Sequence, residues 1–186
     1  MNSPSIATAT PADRDRVVAT IVAAFAADPA FRYFFPDEAT YHEYASAFAG
    51  YLFDKRVPGS TVWLAEGGAA VALWDPPRPT PYNGSTLDLP AAVQERLDAY
   101  HETVHPLLPT GPHWYLGVLA THPDHAGRRW GRAVMAAGVA RAREDGMPAY
   151  LETTNPRNVE VYRGAGWEVT GSATTMDVPI WVMRMG

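Results

Sequence analysis

The chain has 186 residues, 47% of them apolar and 19% charged, a balance that suits one domain with a sizeable core and excludes a disordered or collagen-like polymer. The formal net charge is −5 with no concentrated basic stretch, which argues against a nucleic-acid backbone as partner and is compatible with a cationic small molecule. The absence of cysteine excludes disulfides, a thiolate nucleophile and Cys-based zinc sites.

The opening Met-Asn-Ser-Pro-Ser lacks the basic-then-apolar order of a signal peptide. No apolar run reaches the roughly 18 residues of a membrane span, so a cytoplasmic protein with no membrane partner is expected. Ile6 to Thr10 is β-like. Thr10, Pro11 and Asp13 supply a cap, an N1 proline and a first-turn acid for a helix from Pro11 to about Ala27, whose Val17, Val18, Ile21, Val22 and Phe25 share one face. Asp28-Pro29 is expected to stop it.

The aromatic cluster Phe31, Tyr33, Phe34 and Phe35 leads, past Pro36, into a second helix from about Glu38 to Lys55. Thr61 to Ala65 and Ala69 to Trp74 flank Glu66-Gly67-Gly68 as an antiparallel hairpin, and proline-rich Asp75 to Leu87 is a loop. A helix from Leu89 to about His105 follows, broken by Pro106 to Pro112.

His113 to Thr121 reads as a strongly apolar strand, Gly127 to about Asp145 as a helix closed by Gly146, and Met147 to Thr153 as the next strand. Pro156 to about Ala165 is a short helix, with strands Trp167 to Gly171 and Thr175 to Met185 at the end. A hairpin followed by alternating strands and helices predicts a mixed α/β sheet with helices on both faces, in a single domain over residues 1–186.

The strand His113 to Thr121, the turn His122-Pro123-Asp124-His125 and the helix opening Ala126-Gly127-Arg128-Arg129-Trp130-Gly131-Arg132-Ala133 together describe an anion site. Free N–H groups and the positive dipole end at a helix start suit a pyrophosphate, and glycines allow close approach. Arg128, Arg129 and Arg132 add charge there. The segment lacks GxGxxG and GxxxxGK[ST], which argues against a dinucleotide fingerprint and a P-loop. Glycine and arginine near a helix start are also common for structural reasons alone.

Here the sequence resembles the GNAT acetyltransferase superfamily, whose hallmark (Q/R)xxGx(G/A) lies between a strand and a long helix. Placed on Ala126 to Gly131, the pattern meets Ala126 at its first position and Arg129 at its fourth. A second block, Asn155 to Trp167, is similar to N-x-x-A-x-x-x-Y-x-x-x-G-F, with Asn155, Tyr162 and Gly166 matching, Asn158 in place of Ala and Trp167 in place of Phe. Within the superfamily, AAFAADPA (23–30), GAAVALW (68–74), WYLGVLATHPDH (114–125) and PAYLETTNPRNVEVY (148–162) resemble the puromycin N-acetyltransferase group.

The resemblance implies a mostly antiparallel central sheet, acetyl-CoA as co-substrate with no metal, and direct attack of an amine on the thioester. Tyr162 is implied as the acid for the leaving thiolate, and Glu152 as the group that orients the acceptor amine or takes its proton. Gly127, Arg128, Arg129, Gly131, Arg132 and Ala133 are expected around the pyrophosphate. The backbone of Leu119, Ala120 and Thr121 is expected along the pantetheine arm, with Asn155 either contacting that arm or simply capping its helix. Phe31, Tyr33, Trp74 and Trp114 are candidates for an aromatic acceptor pocket, at most two of them in that role. His122 and His125 read as turn residues without the partners of a zinc site. A small-molecule amine is the expected partner of a monomer or homodimer; protein amines, or a catalytically silent acyl-CoA-binding module, are the alternatives.

Overall fold

The computed structural model describes residues 3–84 and 86–186. Met1 and Asn2, in the N-terminal stretch read above, and Ser85, in the proline-rich loop, lie outside the described residues.

The chain order is β1 (Ile6–Thr8), α1 (Arg14–Ala24), α2 (Pro29–Phe34), α3 (Glu38–Arg56), β2 (Val62–Ala65), β3 (Ala70–Asp75), α4 (Ala91–Val104), β4 (Trp114–Thr121), α5 (Trp130–Glu144), β5 (Ala149–Thr153), α6 (Pro156–Arg163), β6 (Glu168–Thr175) and β7 (Val178–Met185). Asp28-Pro29, expected to end a helix, instead starts α2: the Asp28 carboxylate accepts from the backbone N–H of Ala30 and Phe31, and Pro29 fills the first turn, where no N–H is needed. The aromatic cluster is therefore helical. Ahead of α1, the Asp13 carboxylate accepts at 2.9 Å from both the backbone N–H and the hydroxyl of Thr10.

Among the described residues seven strands form one sheet in the order β1-β2-β3-β4-β5-β7-β6. The β4–β5 pair is parallel and the other pairs are antiparallel. One face carries Val17 and Ile21 of α1 and Ala45, Ala49 and Phe53 of α3 against Val62, Val71 and Leu73. The other carries Val134, Met135 and Val139 of α5 and Val159 of α6 against Trp74, Trp114, Leu151 and Met183. Gly138 lets α5 settle directly on the fully buried Trp74, since a Cβ there would lie 2.2 Å from the indole. On the first face, Arg14 clamps α1 to α3 through Asp54, with Nε–Oδ1 at 2.8 Å and Nη2–Oδ2 at 3.0 Å.

Two irregularities of β4 shape the molecule. Leu73 pairs with Val118 and Trp74 with Leu116, so Gly117 is an extra, bulged residue. The bulge exchanges the faces of the strand: Trp114 and Leu116 belong to the α5 side, whereas Val118 and Ala120 belong to the α1–α3 side. The parallel pairing with β5 runs only from Trp114↔Ala149 to Leu116↔Leu151, after which β4 continues to Thr121 and β5 to Thr153 without pairing to each other. The strands splay, and between them the backbone of β4 offers hydrogen-bonding groups to whatever enters.

Candidate active site

A cavity of about 600 Å³ opens on the α1–α4 side and runs into this splay. Its bowl is built by Phe25, Phe31, Phe34 and Phe48 with Tyr100 of α4, and its floor by Gly117 to Leu119 and by Glu152, Thr153 and Tyr162. The bowl is one aromatic cluster: Phe31 lies 4.5 Å from Phe25 and 6.0 Å from Phe48 between centroids, and Phe34 meets Tyr100 edge-on at 5.0 Å.

Glu152 sits at the meeting point. Its neighbour Leu151 packs into the α5-side core, so strand alternation turns Glu152 the other way, onto the cavity floor. The Tyr115 hydroxyl donates to Glu152 Oε2. Burial lifts the Glu152 carboxyl from 4.5 to about 7, while the Tyr115 hydrogen bond, the positive Arg56 and the Tyr100 hydroxyl pull it down. Tyr100 and Tyr115 are pushed well above the ordinary phenol range by burial first and by the Glu152 charge second, so both remain neutral donors.

Arg56, 6% exposed, closes one wall of the cavity. Its Nη2 pairs with Asp75 Oδ2 at 2.5 Å and its Nη1 donates to Leu52 O at 3.0 Å. Gly117 makes the room, because a Cβ there would stand 2.6 Å from Arg56 Nη2. Tyr162 is half-buried in the cavity wall with its ring edge-on to Trp167 at 6.3 Å. Desolvation raises its phenol above the ordinary value, and the Glu152 and Asp28 charges raise it further.

At the far end of the splay, α5 begins at Trp130 rather than at Gly127, because Gly127 (φ 79°) and Arg129 (φ 61°) both take left-handed backbone. Arg129 occupies the position where the superfamily pattern places glycine, and the backbone there has kept a conformation that favours glycine. The first N–H groups of α5 have no partner within the helix. Gly131 brings this helix start against the end of β4, since a Cβ there would lie 2.8 Å from Thr121 Oγ1. Arg128, Arg129 and Arg132 are exposed around it, with the Arg128 guanidinium 5.0 Å over the Trp130 ring. Arg129→Gly should raise the melting temperature of the ligand-free protein by about 2–4 °C, relieving roughly 1 kcal/mol of strain. Arg129→Ala should bring no such gain, a contrast that thermal denaturation of both variants checks.

Of the aromatic candidates, Phe31 lines the cavity and the others do not. Trp74 and Trp114 lie in the core on the α5 side, Trp114 with its Nε1 donating to Asp145 Oδ2 at 2.9 Å, and half-buried Tyr33 packs outside the cavity lining. The sequence left these aromatics a pocket role or a core role, and the side of the sheet that Trp74 and Trp114 face puts both in the core. Leu119 lines the cavity, whereas the Ala120 side chain turns into the α1–α3 core, leaving its backbone at the splay. Asn155 caps α6, its Oδ1 accepting from Arg157 N at 3.0 Å; Asn158, one turn on, faces the cavity and donates to Thr153 Oγ1 at 3.4 Å.

The sequence reading missed Arg56, Tyr100, Tyr115 and Asn158. A lone arginine at a helix end and tyrosines in apolar runs carry no local signal, although Asn158 was visible as a departure from alanine. His122 and His125 stand in the turn with ring centroids 6.0 Å apart. Among the described residues no group of three His, Asp or Glu side chains is placed to hold a metal, and no helix is long and apolar enough to cross a membrane.

The sheet is splayed at its one parallel pair, with a helix N-terminus at one end of the opening and a carboxyl among phenols at the other. A sequence profile of the acetyltransferase (GNAT) family matches residues 20–167, and the chain belongs to that family. The histone acetyltransferase HPA2 and related acetyltransferase from Corynebacterium glutamicum is 27% identical, with a TM-score of 0.72 over 98% of this chain and 96% of that one. The C-terminal condensation domain of Ebony, in complex with β-alanyl-dopamine, has the same fold at 14% identity, with a TM-score of 0.76 and 100% and 99% of the chains covered. Arylalkylamine N-acetyltransferase 2 from Aedes aegypti shares it at 11% identity, with a TM-score of 0.66 and 99% of each chain covered.

Proposed function

We infer that the chain transfers an acetyl group from acetyl-CoA to the amine of an aromatic small molecule. The observation that carries this reading is the continuity of one cavity from an aromatic bowl, through Glu152, to the open edge of β4. The residues fit the co-substrate: Gly131 seats the start of α5 against the end of β4, open space lies beside Gly127, the free N–H groups at the start of α5 suit its pyrophosphate, and Arg128, Arg129 and Arg132 supply charge. Acetyl-CoA brings the activated acyl group. The backbone of Leu119 to Thr121 holds its extended arm beside β4, and Tyr162 faces the position of its sulfur.

Glu152, ionised from about pH 7 upward, takes a proton from the acceptor's ammonium and leaves a neutral amine. As the N–C bond forms and the C–S bond breaks, the Tyr162 hydroxyl gives its proton to the departing thiolate, and the second proton shed by the acylated nitrogen returns to the Tyr162 oxygen, so that the phenol ends neutral. Desolvation raises that phenol, which keeps it protonated until the thiolate forms. The Phe25, Phe31, Phe34 and Phe48 bowl takes the aromatic body of the acceptor and Asp28 adds negative charge, both favourable for an aromatic ammonium. The likeness to the puromycin N-acetyltransferase group supports an aminonucleoside as one such acceptor.

A thiol-release assay with acetyl-CoA and a panel of puromycin, arylalkylamines, aliphatic diamines and lysine peptides tests the reading. Turnover of aromatic amines with kcat/KM at least about tenfold above the aliphatic ones, roughly 1.4 kcal/mol of discrimination, is expected. Acetyl-CoA binding without turnover of any amine would make the chain a silent acyl-CoA-binding module, and turnover confined to the peptides would make proteins its acceptors.

A further inference from the structure

A second cavity, of about 730 Å³, lies behind Glu152, between the proline-rich loop after β3 and the segment joining α4 to β4. Asp75, His105, His113 and Tyr115 line it, and its rim, with His105, Thr110 and Pro112 exposed, is open to solvent. Glu152 lines the first cavity and Tyr115 the second, so the hydrogen bond from the Tyr115 hydroxyl to Glu152 Oε2 crosses the wall between them. The rest of that wall is the Arg56–Asp75 ion pair, with Asp75 lining both cavities.

A base that takes a proton in every cycle must also release it. With an aromatic acceptor in the bowl and an acyl carrier in the splay, the first cavity offers Glu152 no clear path to water. We propose that Tyr115 is the relay that returns this proton to solvent through the second cavity; the proposal rests on the acetyl-transfer reading above. Once Glu152 is protonated, the Tyr115 hydroxyl turns its hydrogen toward the second cavity and accepts from the carboxyl. One O–H bond then breaks on Glu152 and forms on Tyr115 while the original phenol O–H breaks and its proton passes to water or to an imidazole there. Tyr115 stays neutral and ends donating to the Glu152 carboxylate, as found here.

The second cavity holds suitable acceptors. His113 Nδ1 lies 2.8 Å from Gly111 O, which accepts its hydrogen and leaves Nε2 the free acceptor of the neutral ring. The other titratable and charged groups around Glu152, namely Tyr100 of α4, Arg56 of α3 with Asp75, Asp28 and Tyr162, line the acceptor side or belong to the ion pair, and Tyr115 alone both bonds Glu152 and lines the second cavity.

The test uses the intact enzyme with acetyl-CoA and puromycin, above the pH limb of Glu152. For the wild type, kcat in H₂O–D₂O mixtures should follow a curved proton inventory, more than one proton being in flight. Tyr115→Phe should lower that plateau kcat on the order of tenfold to a hundredfold with the KM for acetyl-CoA unchanged, give a linear inventory, and recover with added imidazole. A linear wild-type inventory, or a Tyr115→Phe plateau equal to wild type with only the pH limb displaced, would overturn the relay and leave acetyl transfer standing. Absence of wild-type turnover on every amine would overturn both.

Discussion

Glu152→Gln should lower kcat/KM for amine acetylation by about a hundredfold to ten-thousandfold, the contribution of a positioned general base. The substitution keeps the volume and an oxygen to accept from Tyr115, and removes the charge together with the ability to take a proton. In the wild type, log kcat/KM should rise with unit slope below about pH 7 and lose that limb above it, because Glu152 works as the carboxylate and burial has moved its titration to about 7. The glutamine variant should lack the limb near 7 while keeping any limb of the acceptor's own amine, which separates the two ionisations in a pH–rate profile.

The same carboxyl has an opposite effect on folding. Its pKa is raised from 4.5 in the unfolded chain to about 7 in the fold, so its favourable contribution is complete below about 4.5 and is lost as pH rises through 7. Glu152→Gln should therefore melt no lower than wild type at pH 8. A variant that is inactive but equally stable places the defect in chemistry, whereas an unaltered rate would remove Glu152 from the mechanism.

Tyr162→Phe should reduce kcat on the order of a hundredfold or more while the dissociation constant for acetyl-CoA stays within about twofold, since the phenol is asked to act only as the sulfur departs. The ring contact with Trp167 survives in phenylalanine, so α6 keeps its seat. Calorimetric titration with CoA and turnover with a good acceptor measure the two quantities separately. If affinity falls as steeply as rate, Tyr162 holds the carrier rather than assisting departure of the thiolate.

Apart from the short α2, the element order was legible in the chain, as were the hairpin at Glu66-Gly67-Gly68 and the long helix after β4, because periodicity, prolines and glycines act within a few residues. The block from Asn155 to Trp167 placed Tyr162 beside the cavity, and an acid in the apolar run Tyr150-Leu151-Glu152 marked Glu152. Both signals are local: a motif spacing in one case, the cost of burying a carboxylate in the other. Arg129 shows the reach of such reading, for the residue that stands where the pattern has glycine sits in a left-handed conformation that favours glycine.

The partners of those residues were another matter. Tyr100 and Tyr115 meet Glu152 from α4 and β4, Arg56 reaches the floor from the end of α3, and no spacing along the chain relates these segments. Trp74 and Trp114 were misplaced because a strand declares its alternation but not which face will carry the cavity. In β4 the apolar run gives no sign of the bulge at Gly117, which swaps the faces of the strand. By itself the sequence determined most of the segments that are helix or strand and two of the residues that line the cavity, because propensity and the expense of burial act locally. Only the tertiary structure decided where β4 and β5 part and what surrounds Glu152, because pairing register and layer stacking are properties of segments far apart in the chain.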